Sequence, residues 1–178
     1  MTDALRGGPT GYIVLRPAGI YGGARAATQS FLRDLSRRRF WIRVPPTVIV
    51  HPTYVDDVVQ AIVRCVDRYD LAGEVFNVGG ERAMALDDWA QLAANKLQIR
   101  LRLLTVPPGA VVAAAIGLSR VARALSLTPP NRMTRACHPV LSRALDTTKA
   151  RERLGFNPML LDHALTETIS TARALGVL

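Results

Sequence analysis

The stretch from Tyr12 to Gly23, YIVLRPAGIYGG, constrains this chain more than any other. Tyr12 to Arg16 have strand character and run into Pro17, which cannot donate to a ladder and so closes the strand. Gly19, Gly22 and Gly23 then let the backbone turn sharply before an Ala-rich helical segment begins near Ala26. A buried strand, a tight glycine turn and a helix form the joint of an α/β sheet beside which ligands lie, at the carboxyl ends of the strands.

The rest of the chain alternates in the same manner. Ala26 to Arg39 is expected to be a helix with Phe31, Leu32 and Leu35 on one face. Phe40 to Val44 and Val48 to Val50 read as two short strands around Pro45-Pro46, in a hairpin-like excursion. Thr53 or Tyr54 precedes a helix through Asp67, with Asp56 and Asp57 in its first turn as helix-start and packing residues. Glu74 to Val78 is a short buried strand stopped by Gly79-Gly80, and Asp87 or Asp88 opens a helix to about Leu97. A strand from Arg100 to Val106 precedes an Ala-rich helix from Gly109 to Leu127. Short helices are expected at His138 to Ala144 and Thr147 to Leu154, the second stopped by Gly155 and Pro158. An amphipathic helix from Leu161 to Leu175 closes the chain.

With 178 residues, 49% hydrophobic and 21% charged, the chain is long enough for one unit with its own core. Cys65 and Cys137 have no metal or redox spacing and read as small apolar residues in a reducing compartment. The net charge of +9 raises nucleic acid as a partner, and Lys96 and Lys149 are the only lysines among 23 basic residues. The arginines are scattered, however, except Arg37-Arg38-Arg39, which ends a predicted helix and complements its dipole there. An acidic partner, an amino-terminal half included, accounts for the excess equally well. Met1 to Gly11 reads as a frayed lead-in without the apolar core of a signal peptide. The longest uncharged apolar run, Val106 to Ser119, is too short to span a bilayer, so a soluble, cytoplasmic protein is expected.

Four motifs occur in order: LRPAGIYG from Leu15 to Gly22, HPTYVDDV from His51 to Val58, GEVFNVGG from Gly73 to Gly80, and TKARERLGFNP from Thr148 to Pro158. Together they resemble the extended short-chain dehydrogenase/reductase superfamily, the NAD-dependent epimerase/dehydratase family, over nearly the whole chain but matching only the carboxyl-terminal part of such a protein. The resemblance implies an α/β fold class: the carboxyl-terminal part of a Rossmann-like NAD(P)-binding fold, contributing its last sheet strands, plus a mostly helical substrate-binding subdomain. Residues 1–178 then form one unit, with Rossmann-like strands near 12–16 and 74–78 and the subdomain at about 24–52 and 81–178. It implies NAD or NADP as cofactor beside Pro17, Ala18 and Ile20, and a small-molecule substrate beside Gly19, Tyr21 and His51. A homo-oligomer or a missing amino-terminal half is the further partner it implies.

The family's chemistry lies in a Tyr-x-x-x-Lys pair, in which lysine lowers the tyrosine pKa so that the phenolate can exchange protons. No such pair occurs in these residues: Tyr12…Arg16 and Tyr21…Arg25 have the spacing, but arginine cannot serve a proton relay. The Gly-x-x-Gly-x-x-Gly loop is missing as well; Gly19-Ile-Tyr-Gly22-Gly23 imitates it, yet the third glycine would fall at Arg25. No catalytic residue and no metal ligand is therefore assigned. The reading is a substrate-binding portion, inactive alone, of an NAD(P)-dependent epimerase/dehydratase or dehydrogenase-like protein. The alternatives are a non-catalytic scaffold or interaction subunit of the same fold and a basic nucleic-acid-binding protein. Nucleotide-sugar epimerases often carry asparagine where this chain has Gly19 and arginine where it has Val50, and neither residue here can grip a diphosphate. The apolar stretch from Pro107 to Leu127 suits a hydrophobic substrate, closer to hydroxysteroid dehydrogenase or dihydroflavonol-reductase-like branches, and reads equally as an internal cap helix. His51, alone before Pro52, fits a capping or satisfied loop residue better than a base.

Overall fold

A computed structural model describes residues 11–45, 47–111, 113–114, 116–117 and 144–178. The lead-in before Gly11, Cys137, most of the helix expected up to Leu127 and nearly all of the helix expected from His138 lie outside the described residues.

Two parallel strand pairs build the joint. Strand β1 (Val14–Pro17) pairs with β6 (Val75–Val78), Val14 opposite Val75 and Pro17 opposite Val78. After Ala18 the chain enters β2 (Gly19–Tyr21), which pairs with β5 (Pro52–Tyr54), Gly19 opposite Pro52. Between them, α1 (Ala26–Arg38) buries Leu32 and Leu35, and carries Arg37 and Arg38 in its last turn beside the unpaired carbonyls. Its stop is Arg39 at φ 56°, an arginine in the left-handed region where glycine is the usual choice.

The expected hairpin around Pro45 does not form. β3 (Phe40–Arg43) pairs in parallel with β8 (Arg102–Thr105), and β4 (Ile49–Val50) pairs antiparallel with β7 (Met84–Ala85). A tight hairpin connection needs φ > 0 at one of its positions and amide donors beside it, and prolines supply neither. The strands at Phe40 and Ile49 were legible in the apolar runs; the short strands β2, β5 and β7 and the choice of partners were not.

Helix α2 (Val55–Cys65) follows β5 directly and ends two residues before the expected Asp67, which adopts φ 61°. Helices α3 (Leu86–Lys96), α4 (Thr148–Leu154) and α5 (Leu161–Ala174) follow, with Gly155 at φ 62° as the stop of α4. Two apolar clusters result. One gathers Leu32, Leu35, Ala90, Ala93, Leu165 and Ile169 between α1, α3 and α5. The other packs Ala61, Phe76, Val78, Ala150, Leu154 and Phe156 around β6. Among the described residues no helix is long and apolar enough to cross a membrane.

Candidate functional site

β1 borders one cluster through Leu15, and β2 enters the other through Tyr21. The Val14 N–H donates to the Glu74 carbonyl and the Ala18 N–H to the Val78 carbonyl, each at 2.9 Å. Residues 14, 16 and 18 thus face β6, and the alternation of a parallel ladder turns the Pro17 carbonyl to the other side. Pro17 and Gly19 are exposed, while Ala18 and Ile20 are half-buried. Gly19 is not held by backbone strain: its φ is not positive, and a Cβ built there would meet nothing closer than the His51 carbonyl oxygen at 3.8 Å. The glycine leaves open space on a ledge at the carboxyl ends of the strands, where ligands bind in open α/β sheets.

His51 lies directly behind that ledge, 6% exposed. The Leu145 N–H donates to its Nδ1 at 3.2 Å, so Nδ1 is an acceptor and the ring proton belongs to Nε2, which donates to the Gly80 carbonyl at 3.2 Å. Both nitrogens are engaged, and no lone pair remains for a bound molecule. The ring also fills the space a side chain at Gly79 would need, since a Cβ there would lie 2.5 Å from its Cε1. A Cβ at Gly80 would overlap the Pro52 carbonyl oxygen. The glycine pair after β6 is therefore required by close backbone approach to His51 and Pro52 rather than by positive φ.

Tyr21 is 5% exposed and starts an aromatic series. Its ring centroid lies 5.8 Å from Tyr54 and 5.6 Å from Trp89; Phe31 stacks on Trp89 at 4.5 Å and meets Trp41 edge-on at 5.9 Å. Burial first, then the negative charge of Asp57, pushes the Tyr21 phenol well above its ordinary range, so it stays protonated at neutral pH. Buried in this way, the tyrosine cannot reproduce an activated phenolate.

Two aspartates not singled out as site residues hold the joint in place. Asp57, 3% exposed, accepts the Met159 N–H at 2.7 Å through Oδ1, tying the first turn of α2 to the corner before α5. Burial raises its pKa, the Met159 and Tyr54 amides pull it back, and Asp56 pushes it up. Asp87, 6% exposed, accepts from Trp41 Nε1 at 2.7 Å, Arg43 Nε at 3.1 Å and Thr47 Oγ1 at 3.2 Å, and so binds α3 to β3 and the loop after it. The only sequence signal for either was a carboxylate beside an apolar helix start.

The six residues expected at the cofactor and substrate are thus brought to one place. Pro17, Ala18, Gly19 and Ile20 form the ledge, and Tyr21 and His51 form its buried support. Among the described residues no group of three or more His, Cys, Asp or Glu could hold a metal ion.

No protein-family model matches the sequence, and no curated protein does. Solved structures do. The protein gox2253 is 21% identical with a TM-score of 0.69, covering 93% of this chain and 50% of its own. UDP-glucose 4-epimerase from Thermotoga maritima, solved with UDP-glucose, is 22% identical with a TM-score of 0.64, over 93% of this chain and 47% of its own. UDP-glucuronic acid 4-epimerase from Bacillus cereus, solved with UDP-glucuronic acid and NAD, is 17% identical with a TM-score of 0.61, over 92% and 45%. The chain therefore spans about half the length of the structures it matches. At these identities the likeness establishes the fold: a Rossmann-like α/β arrangement, represented in part.

Proposed function

We propose that this chain is the carboxyl-terminal, substrate-binding portion of an NAD(P)-dependent epimerase/dehydratase or dehydrogenase-like protein acting on a carbonyl/alcohol pair. By themselves the 178 residues turn over no nicotinamide, because neither the glycine loop nor the Tyr-x-x-x-Lys pair is among them. The observation that carries this reading is the open ledge at Pro17 to Ile20, backed by a His51 and a Tyr21 that are both withdrawn into the core. Pro17, Ala18 and Ile20 would flank the nicotinamide; Gly19, with Tyr21 and His51 beneath it, would face the substrate. A bound nicotinamide supplies or accepts the hydride. The chain's own share is shape, orientation and exclusion of water. Gly19 has no side chain and Val50 an apolar one paired across from Met84, so neither supports a diphosphate grip. The substrate favoured is therefore a hydrophobic ketone or alcohol rather than a nucleotide sugar.

The test is an amide chemical-shift titration of the purified chain with acetophenone and, separately, UDP-glucose. Shifts centred on Ala18 to Tyr21 with acetophenone are expected. Shifts confined to other regions, or none with either compound, would leave the chain a scaffold. Heat-labile NAD or NADP turnover by the same sample would overturn the claim of inactivity.

A further inference from the structure

Strand β3 has one edge in its sheet and one outside it. The Arg102 N–H donates to the Arg39 carbonyl at 3.0 Å and the Val106 N–H to the Arg43 carbonyl at 2.9 Å. Residues 39, 41 and 43 thus face β8, and the alternation of a parallel ladder turns the N–H and C=O groups of Phe40 and Ile42 the other way. Among the described residues β3 pairs with β8 alone, so these donors and acceptors stand on an open edge. Phe40 and Ile42 are themselves 43% and 50% exposed, where lysine, proline or a bulge is the usual protection of an edge.

Helix α1 forms a wall along that edge. A cleft of about 270 Å³ separates the two, lined by Phe31, Asp34, Leu35 and Arg38 on the helix and by the strand from Phe40 to Ile42. The four helix positions, i, i+3, i+4 and i+7, make a single stripe. Phe31 and Leu35 give the cleft an apolar floor, and Asp34 and Arg38, 3.9 Å apart, give it a polar rim. Enclosed small-molecule sites begin at roughly 300 Å³. This cleft is smaller and has a strand edge beside a helix, the geometry that takes an extended peptide as one more strand.

Charge selects the occupant. Arg37, Arg38 and Arg39 are all exposed where α1 passes into β3, and Arg102 is paired opposite Phe40. A second copy of the chain suits this edge badly. Two β3 strands joined antiparallel through Phe40 and Ile42 would centre on Trp41 and set Arg39 opposite Arg43 at both ends. Like charges directly opposite one another destabilise such a pair.

We propose that the cleft between α1 and the open edge of β3 binds an extended acidic peptide of a separate protein, which joins the sheet as a strand. Its main chain pairs with Phe40 and Ile42, an apolar side chain enters over Phe31 and Leu35, and its carboxylates lie against Arg37 to Arg39. None of the ledge residues from Pro17 to Ile20 takes part.

The probe is a fluorescein-labelled peptide, Glu-Glu-Val-Thr-Val-Thr-Val-Glu-Glu, titrated into the 178-residue chain while its amide chemical shifts are followed. Shifts at Phe40 to Ile42 and along α1 are expected. Ile42→Pro removes an outward donor and leaves the β8 ladder intact, so it should weaken binding about tenfold or more. Arg39→Gly removes a charge and suits the left-handed backbone at φ 56°, so it should weaken binding about threefold with the fold kept. Of two peptides N-methylated at the valines or at the threonines, one should lose binding and the other keep it, because only one set of amides faces the edge. That comparison uses the unaltered chain and decides the matter even where Ile42→Pro fails to fold. The proposal is overturned by no binding at about 1 mM peptide, by shifts confined to other regions, by equal binding of both methylated peptides, or by equal binding of a peptide with lysine for glutamate. A sedimentation-detected dimer that Ile42→Pro returns to monomer also overturns it, by making a second copy the occupant.

Discussion

If His51 and Gly79 occupy one another's space, their substitutions cannot be additive. In Gly79→Ala the new methyl would sit 2.5 to 2.9 Å from three imidazole atoms, where carbon contacts need about 3.5 Å. The ring would have to withdraw by close to 1 Å, yet it is held from both ends by hydrogen bonds of 3.2 Å to Gly80 and Leu145. Overpacking of this kind costs about 1–3 kcal/mol. His51→Ala loses both hydrogen bonds, about 1 kcal/mol each, and leaves a partly filled hole, for a total of about 3 kcal/mol. In the double variant the methyl enters space the ring has vacated, and the alanine restricts the unfolded chain by a further ~0.5 kcal/mol. The double variant should then be no less stable than His51→Ala alone, a favourable coupling of about 1–3 kcal/mol. Urea unfolding of the four proteins at neutral pH, with matching m-values, measures this coupling. Additivity within about 0.5 kcal/mol would show that the ring does not fill that space.

Asp87→Ala strands the Trp41 indole N–H and the Arg43 guanidinium, which is itself 37% exposed, so a loss of about 2–4 kcal/mol in the same assay is expected. Asp87→Asn, keeping an acceptor for Trp41, should lose less; equal losses would remove the hydrogen-bond explanation. Glu74 answers to pH. Its hydrogen bonds to Lys149 and Arg153 hold its pKa below the ordinary 4.5, so it contributes stability that is present above that value and lost as pH falls through its folded pKa. The acid-side decline in melting temperature should be shallower in Glu74→Gln than in the parent, and an identical decline would assign it to other carboxylates.

Helices were legible in the sequence where one face needed burial. Leu32 and Leu35 marked α1, Gly155 announced the end of α4, and neither needed distant information. Strand partners were hidden, because Phe40 to Arg43 looks the same whether it pairs with a neighbour or with Arg102 to Thr105 far along the chain. The support of the site was hidden for the same reason. Asp57 and Met159 are 102 residues apart, Trp41 and Asp87 are 46, and only the folded backbone brings each acceptor to its donor. Pro17 was readable as the end of β1 because proline acts locally, through a missing amide, whereas Gly19 was expected to turn the chain and instead opens strand β2; the positive φ values fall at Gly22 and Gly23.

The motifs that carried the resemblance turn out to act on the backbone joint. LRPAG places the Ala18 amide on Val78. HPT sets His51 between Leu145 and Gly80. VGG is small because His51 and Pro52 approach it closely, and GFNP delivers Met159 to Asp57. Each clasp ties strand ends or helix starts that are far apart in sequence, and each would be needed in any protein built on this joint, whatever reacted beside it. Residues constrained in this way identify the fold while leaving the chemistry open. The discriminating positions are those the clasps do not use. Gly19 could take a side chain on its backbone without strain or clash, and under the proposed function its bare position would reserve that space on the ledge for a ligand. Gly19→Asn should accordingly be tolerated by the fold, and any change it makes in ligand preference would come from the ligand's side of the joint.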